Sequence, residues 1–118
     1  MEFVIISSGT LAVRGIREAN DIDLIVTEKA WKELIKKYPV ITKNGAERIV
    51  IGNEIEISCT FLLLSETLEI PVQEVFDKAD IIDGIKYMNL EHVKIIKRKM
   101  NREKDLKDIA LIDAYLKQ

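Results

Sequence analysis

Asp21 and Asp23 alternate with Ile22, Leu24 and Val26 in the run "DIDLIV". Aspartate is depleted in strands, so two of them inside an apolar alternation need a reason. Side chains alternate across a strand, so the two carboxylates share one face, about 6.5 Å apart along it. Like charges so placed repel each other unless a cation lies between them. Two carboxylates can converge on one or two divalent ions, and oxygen-only ligands favour Mg²⁺ or Mn²⁺ over zinc. A second acidic alternation, "EIEIS", puts Glu54 and Glu56 on one face and Ile55, Ile57 and Cys59 on the other. A third carboxylate beside an aspartate pair completes a two-metal site. The competing reading of Asp21 and Asp23 is an edge strand with a solvated acidic face.

Elimination narrows the chemistry further. Cys59 is the only cysteine and His92 the only histidine. An internal disulfide and a cysteine zinc site therefore have no material to work with, and with one histidine a His-based metal site or a Ser-His-Asp triad is nearly excluded. Chemistry here runs on carboxylates, Lys, Arg, hydroxyls and backbone groups. The 18 basic and 20 acidic residues leave a net charge of -2, so nothing draws the whole chain to nucleic acid or to an anionic membrane. Any nucleotide or RNA contact must come from a local patch. No apolar run approaches the ~20 residues of a membrane span, and the start has no basic leader. A cytoplasmic protein without a membrane partner is the expectation. A chain of 118 residues, 47% hydrophobic and 32% charged, is expected to form a single globular domain over 1–118.

The elements that must position these groups follow from periodicity. Phe3 to Ile6 reads as a short buried strand, followed by a turn or short helix over Thr10 to Arg14. Asp21 to Val26 reads as a strand with Ile22, Leu24 and Val26 anchored in the core. Thr27 can cap a helix over Glu28 to Tyr38, which carries Ala30, Trp31, Leu34, Ile35 and Tyr38 at helical spacing and stops at Pro39. Arg48 to Ile51 and Glu54 to Cys59 read as strands joined by a two-residue turn, Gly52-Asn53. The state of Phe61 to Leu64 stays open. Pro71 suits the first turn of a helix over Val72 to Ala79. A second hairpin turns at Asp83-Gly84. Asn89 can cap a helix over Leu90 to Met100, and a last helix runs from Glu103 to Leu116. The order predicts α+β: a small mixed sheet with helices packed against it, two of them C-terminal.

The residues now carry a resemblance. "ISSGTLAVRGIREANDIDLIV" and the later "NEIEIS" resemble the nucleotidyltransferase superfamily, the fold class of DNA polymerase beta and the aminoglycoside nucleotidyltransferases. The family pattern is an apolar residue, Gly, Gly or Ser, a spacer of about ten residues, and Asp-apolar-Asp, with a further carboxylate on a later strand. The ending "KRKMNREKDLKDIALIDAYL" is similar to that of short, stand-alone prokaryotic nucleotidyltransferase-fold proteins. The resemblance spans nearly the whole chain and is clearest at its two ends. Ser7 stands where relatives carry glycine, and Gly9-Thr10 offers an alternative register for the same loop. Relatives also place a helix before the first strand; a minimal domain that starts at the strand would expose apolar surface and favour dimerisation.

The resemblance implies a mechanism and its residues. Asp21, Asp23 and Glu56, or Glu54 in place of Glu56, would bind Mg²⁺ or Mn²⁺ and serve catalysis. Ser7, Ser8, Gly9 and Thr10 would hold the phosphates of a nucleoside triphosphate, with ATP as the expected substrate. Arg17, Lys97 and Lys104 would add phosphate or RNA contacts. A hydroxyl on a small molecule, protein or RNA would attack the α-phosphate and release pyrophosphate. Two other readings keep the same residues. One is a weakly catalytic or inactive nucleotide- or partner-binding module of a toxin–antitoxin-like pair, docked to a helical protein or a second copy. The other is a metal-dependent nuclease. Arg14 is as well placed as Arg17 in sequence, and either is otherwise a surface arginine. The run Lys94, Lys97, Arg98, Lys99, Arg102 and Lys104 is otherwise a solvated helix face, with Asp105 and Asp108 pairing to it at helical spacing. His92 reads as a surface helix residue, Cys59 as core, and Trp31 as the anchor of its helix.

Overall fold

A computed structural model describes residues 2–43, 46–59 and 70–118 of the chain. The strands are β1 (Phe3–Ile6), β2 (Ile22–Val26), β3 (Ile41–Lys43), β4 (Ala46–Ile51), β5 (Ile55–Ser58), β6 (Asp80–Ile82) and β7 (Ile85–Tyr87). The helices are α1 (Ser8–Val13), α2 (Glu28–Leu34), α3 (Val72–Asp77), α4 (Leu90–Met100) and α5 (Glu103–Leu116). The run from Phe61 to Leu64 lies outside the described residues. The seven strands form one mixed sheet in the order β3-β4-β5-β2-β1-β7-β6. β1 runs antiparallel to β2 and parallel to β7, and β2 runs parallel to β5. This is the expected α+β architecture, with two C-terminal helices. Among the described residues no helix is long and apolar enough to cross a membrane.

The sheet buries both faces. On one, Val4, Ile6, Ile25 and Met88 pack with Leu11 of α1, Val75 and Phe76 of α3, Val93 and Ile96 of α4, and Ile112 of α5. On the other, Val26, Ile49 and Ile57 pack with Ala30, Trp31 and Leu34 of α2, and Cys59 joins that cluster. β2 is thus a central strand flanked by β5 and β1, and each of its completely buried residues, Ile25 and Val26, supplies a different core. Fully burying one such side chain is worth about 1.5–3 kcal/mol. The expectation that Ile22, Leu24 and Val26 all anchor β2 needs correcting: Ile22 is 40% exposed, and Ile25, on the aspartate face, does the anchoring. A strand covered on both sides needs no strict alternation.

Local chemistry explains the boundaries. Thr27 Oγ1 accepts from Ala30 N at 3.2 Å and starts α2; such a cap is worth about 1 kcal/mol. α2 ends at Leu34 rather than Tyr38, and Lys37 and Tyr38 bond back to the Leu34 carbonyl before Pro39 forbids further helix. Asn89 Oδ1 accepts from His92 N at 2.8 Å and caps α4. Its Nδ2 donates to Lys78 O, tying α4 to the end of α3. α4 closes at Asn101 in the left-handed conformation, which asparagine tolerates. α3 ends at Asp77 rather than Ala79, and β3 adds a strand that the short run Ile41–Lys43 does not announce.

The β4–β5 connection also differs from its expectation. Ile51 pairs with Ile55, so the loop is Gly52-Asn53-Glu54, three residues rather than two. The two-residue register would set Ile49 beside Glu56. A one-residue slip moves every side chain to the other face, and the observed register pairs Ile49 with Ile57 in the core instead. It also brings Arg48 and Val50 onto the face that carries Glu56.

Candidate functional site

The parallel pairing of β2 and β5 sets Asp23 beside Glu56, with Leu24 beside Ile57 and Ile25 beside Ser58. Partners in register on adjacent strands share a face, so the two carboxylates are lateral neighbours, one strand spacing of about 4.8 Å apart at the backbone. Asp21 lies on the same face just before β2 and is exposed. Glu54, in the turn before β5, is exposed and offers its backbone carbonyl to Ile22 N at 2.6 Å. The register therefore makes Glu56, not Glu54, the strand neighbour of Asp23. Both Asp23 and Glu56 are half-buried because β2 and β5 are interior strands.

These acids line a cleft of ≈ 750 Å³. Ser7 and Ser8 line it too, as do the cations Arg17, Arg48, Lys97, Arg102 and Lys104, so carboxylates of the sheet and basic groups share one cleft. Opposite charges in one cleft suit a ligand with opposite charges of its own, such as a polyphosphate with its cation.

The phosphate-loop candidates divide. Ser7 and Ser8 reach the cleft, while Gly9 and Thr10 are absent from its lining. Thr10 is completely buried, and its Oγ1 donates to Ser7 O at 2.9 Å. Gly9 serves packing. A Cβ there would stand 2.5 Å from Ile5 Cγ2, so glycine lets α1 lie close on β1. Ser7 has φ 60 and ψ -135, a conformation in which glycine is the unstrained residue. Ser7 is therefore a residue under strain.

The basic groups are largely committed to internal pairs. Arg17 donates Nε to Asp108 Oδ1 at 2.7 Å and Nη2 to Asp108 Oδ2 at 2.9 Å. The same Nη2 donates to Ser8 Oγ at 2.9 Å, and Nη1 to Glu18 O at 2.8 Å. Lys97 Nζ, nearly buried, lies 2.9 Å from Asp108 Oδ2 and 3.7 Å from Asp105 Oδ1. Arg102 Nε reaches Asp105 Oδ2 at 2.6 Å, and Arg102 N donates to the same oxygen at 3.1 Å, the reach-back half of a capping box. Burial would push the Asp105 carboxyl up, but the hydrogen bonds and charge of Arg102, with Lys97, hold it below its ordinary range. Asp108 behaves alike: burial raises it, and Arg17 and Lys97 pull it down further. The hydrogen bond to Asp108 raises Arg17 in turn, against burial.

This network seats the Arg17 loop and the α4–α5 hairpin at the cleft. Lys104 is exposed on the rim. Arg14 turns elsewhere, donating to Thr10 O and pairing with Asp80 of β6. The solvated-face reading of the basic run fails at Lys94 and Lys97, which are buried and paired to α5. His92 is buried as well: Asn89 Nδ2 faces its Nδ1 at 3.3 Å, leaving Nε2 to donate to Glu74 at 3.1 Å.

Sequence reasoning missed Arg48. Its Nε lies 3.1 Å from Glu56 Oε1, both side chains 24% exposed. The signal was present in "RIVIGNEIE", but the two-residue turn would have turned Arg48 to the wrong face. Among the described residues no group of three or more Asp, Glu, His or Cys side chains converges tightly enough to hold a metal ion. What the register provides is a pair, Asp23 and Glu56, with Asp21 upstream. A pair fits Mg²⁺, which keeps several waters and takes one or two carboxylates together with substrate phosphates. Comparison with protein-family models, with curated proteins and with solved structures gives no match to this chain.

Proposed function

We propose that this chain is a nucleotidyltransferase-fold protein that binds a nucleoside triphosphate with Mg²⁺ or Mn²⁺ and transfers its nucleoside monophosphate to a hydroxyl. The observation that carries the reading is the in-register pair Asp23 and Glu56 in a cleft shared with basic groups. Asp23 and Glu56 would hold the ion as a pair, with waters and substrate phosphates completing its shell, and Asp21 would add negative charge upstream on the same face. The bound ion would supply Lewis-acid stabilisation of phosphoryl oxygens. The chain's own residues do the rest. Ser7 and Ser8 would offer their hydroxyls to the triphosphate, and the Arg17 guanidinium, bonded to Asp108, Ser8 and Glu18, would add its charge. Lys104 adds an exposed positive charge at the rim. Asp108 keeps Arg17 oriented, and Lys97 keeps Asp108 charged. Glu56 is the group suited to take the proton of the attacking hydroxyl.

Thermal denaturation with ATP and Mg²⁺ tests the reading on wild type, Asp23→Asn and Asp21→Asn. Binding only the folded state raises the melting temperature. The reading expects a rise that needs both ligand and metal and is lost in Asp23→Asn. No rise with any nucleoside triphosphate would overturn it.

A second reading, a weakly catalytic binding module, is favoured by the Arg48–Glu56 ion pair. The guanidinium occupies an oxygen of a carboxylate that the transfer reaction would use. Metal-dependent nucleotide binding without turnover in an acceptor screen that includes RNA and hydroxyl-bearing proteins would select it.

A further inference from the structure

Arg48 is a cation of the cleft that touches a carboxylate of the proposed metal pair. β4 and β5 pair Val50 with Glu56, which puts Arg48 on the same face and one diagonal step away. Its Nε approaches Glu56 Oε1 at 3.1 Å, yet that buried nitrogen makes no hydrogen bond. At that distance the missing bond means that the Nε N–H points off the line to this oxygen. A charge-assisted hydrogen bond with good alignment is about twice as strong as a neutral one, and the Arg48 Nε forgoes that alignment here. Asp23 stands beside Glu56 on the neighbouring strand. Two half-buried carboxylates side by side repel, and a guanidinium against one of them offsets that repulsion. Arg48 and Glu56 both line the open cleft, as do the exposed neighbours Ile41 and Val50. Arg48 belongs to neither core cluster.

Building on the metal-binding reading above, we infer that Arg48 is a counter-ion of Glu56 and through it competes with the divalent cation for the Asp23–Glu56 pair. A cation entering between the carboxylates replaces a poorly aligned ion pair, and the displaced guanidinium turns into the cleft. Arg48 thereby sets the metal affinity of the site. It lowers affinity for the bare cation, and it becomes available to an anionic ligand only once the cation has arrived.

The test is a Mn²⁺ titration without nucleotide, followed by electron paramagnetic resonance of the free ion. It uses wild type, Arg48→Gln, Arg48→Lys, Glu56→Gln, Asp23→Asn and the double variant Arg48→Gln/Glu56→Gln. Circular dichroism verifies that each is folded. Arg48→Gln should bind Mn²⁺ about tenfold more tightly than wild type, within the usual range of coupling between sites. Arg48→Lys, which keeps the charge, should stay near wild type. In the Glu56→Gln background, removing Arg48 should change nothing. Equal or weaker binding by Arg48→Gln, with wild-type binding still lost in Asp23→Asn, overturns the competition and leaves the metal reading standing. No Mn²⁺ binding by folded wild type or by Arg48→Gln overturns both.

Discussion

Arg17 and Asp108, 91 residues apart in the chain, meet in a bidentate pair. The planar fork of arginine matches a carboxylate at both nitrogens, and the spare N–H of the same Nη2 goes to Ser8 at the cleft. Asp108 is nearly buried and also receives Lys97, so one carboxylate joins the Arg17 loop to α4 and α5.

Removing that carboxylate takes the ion-pair partner from Arg17 and leaves Lys97 only the longer contact to Asp105. Breaking a fully buried ion pair costs about 3–5 kcal/mol, and the partial exposure of Arg17 moderates this. Asp108→Ala is expected to lose about 2–4 kcal/mol in urea denaturation. Asp108→Asn should lose less, because the amide oxygen still accepts from Arg17. Equal stability of Asp108→Ala and wild type would contradict the network's role.

The same carboxylates predict an acid transition. Asp105 and Asp108 are held below their ordinary range in the folded chain. A depressed folded value means that the unfolded state binds protons first as the pH drops. The stability they contribute is therefore complete above the unfolded value of about 3.9. It drains away as pH falls through the lowered folded values. Denaturation midpoints measured from about pH 6 down to about pH 2 should fall in wild type. The fall should be shallower in Asp108→Asn, which has one fewer depressed carboxylate.

Ser7 tests backbone strain. Its φ of 60 with ψ -135 costs a non-glycine residue about 1–3 kcal/mol, while glycine adds back unfolded-state entropy of up to about 1 kcal/mol. Ser7→Gly should therefore stabilise the fold by about 1 kcal/mol, read as a raised melting temperature. Ser7→Val, β-branched and worse suited to this conformation, should lower it. A lower melting temperature for Ser7→Gly would mean that the serine side chain contributes more than its backbone costs.

Gly9 tests packing. A methyl group there would stand 2.5 Å from Ile5 Cγ2, closer than real contacts come. Overpacking of this kind costs about 1–3 kcal/mol, so Gly9→Ala should destabilise by that amount. Trimming the partner should couple to it: Gly9→Ala in an Ile5→Ala background should cost less than in wild type. Strict additivity of the two would remove Ile5 as the reason for glycine.

Local signals in the sequence carried the elements and the acidic residues of the candidate cleft. Asn89 and Thr27 mark helix starts because a side-chain oxygen satisfies free N–H groups within one turn. Asp83-Gly84 marks a hairpin because both residues take positive φ, 51 and 80. α4 and α5 follow from apolar spacing alone and match their expected bounds. Asp21, Asp23 and Glu56 stand out because acids are depleted in strands, so their alternation with apolar residues marks a polar face on an otherwise apolar segment. None of these inferences needs a distant residue.

The tertiary structure decided everything that depends on which strands are neighbours and on register. The parallel pairing of β2 with β5 makes Glu56, rather than Glu54, the companion of Asp23. A single extra loop residue after Ile51 turns Arg48 toward Glu56 instead of away from it. Lys97 and His92 look like surface residues in sequence because exposure is set by α5 and α3, which only long-range packing brings against α4. Side-chain pattern specifies how each segment coils or extends. Which segments then meet, and in what register, depends on cores assembled from residues far apart in the chain, and that assembly fixes which charges share the cleft.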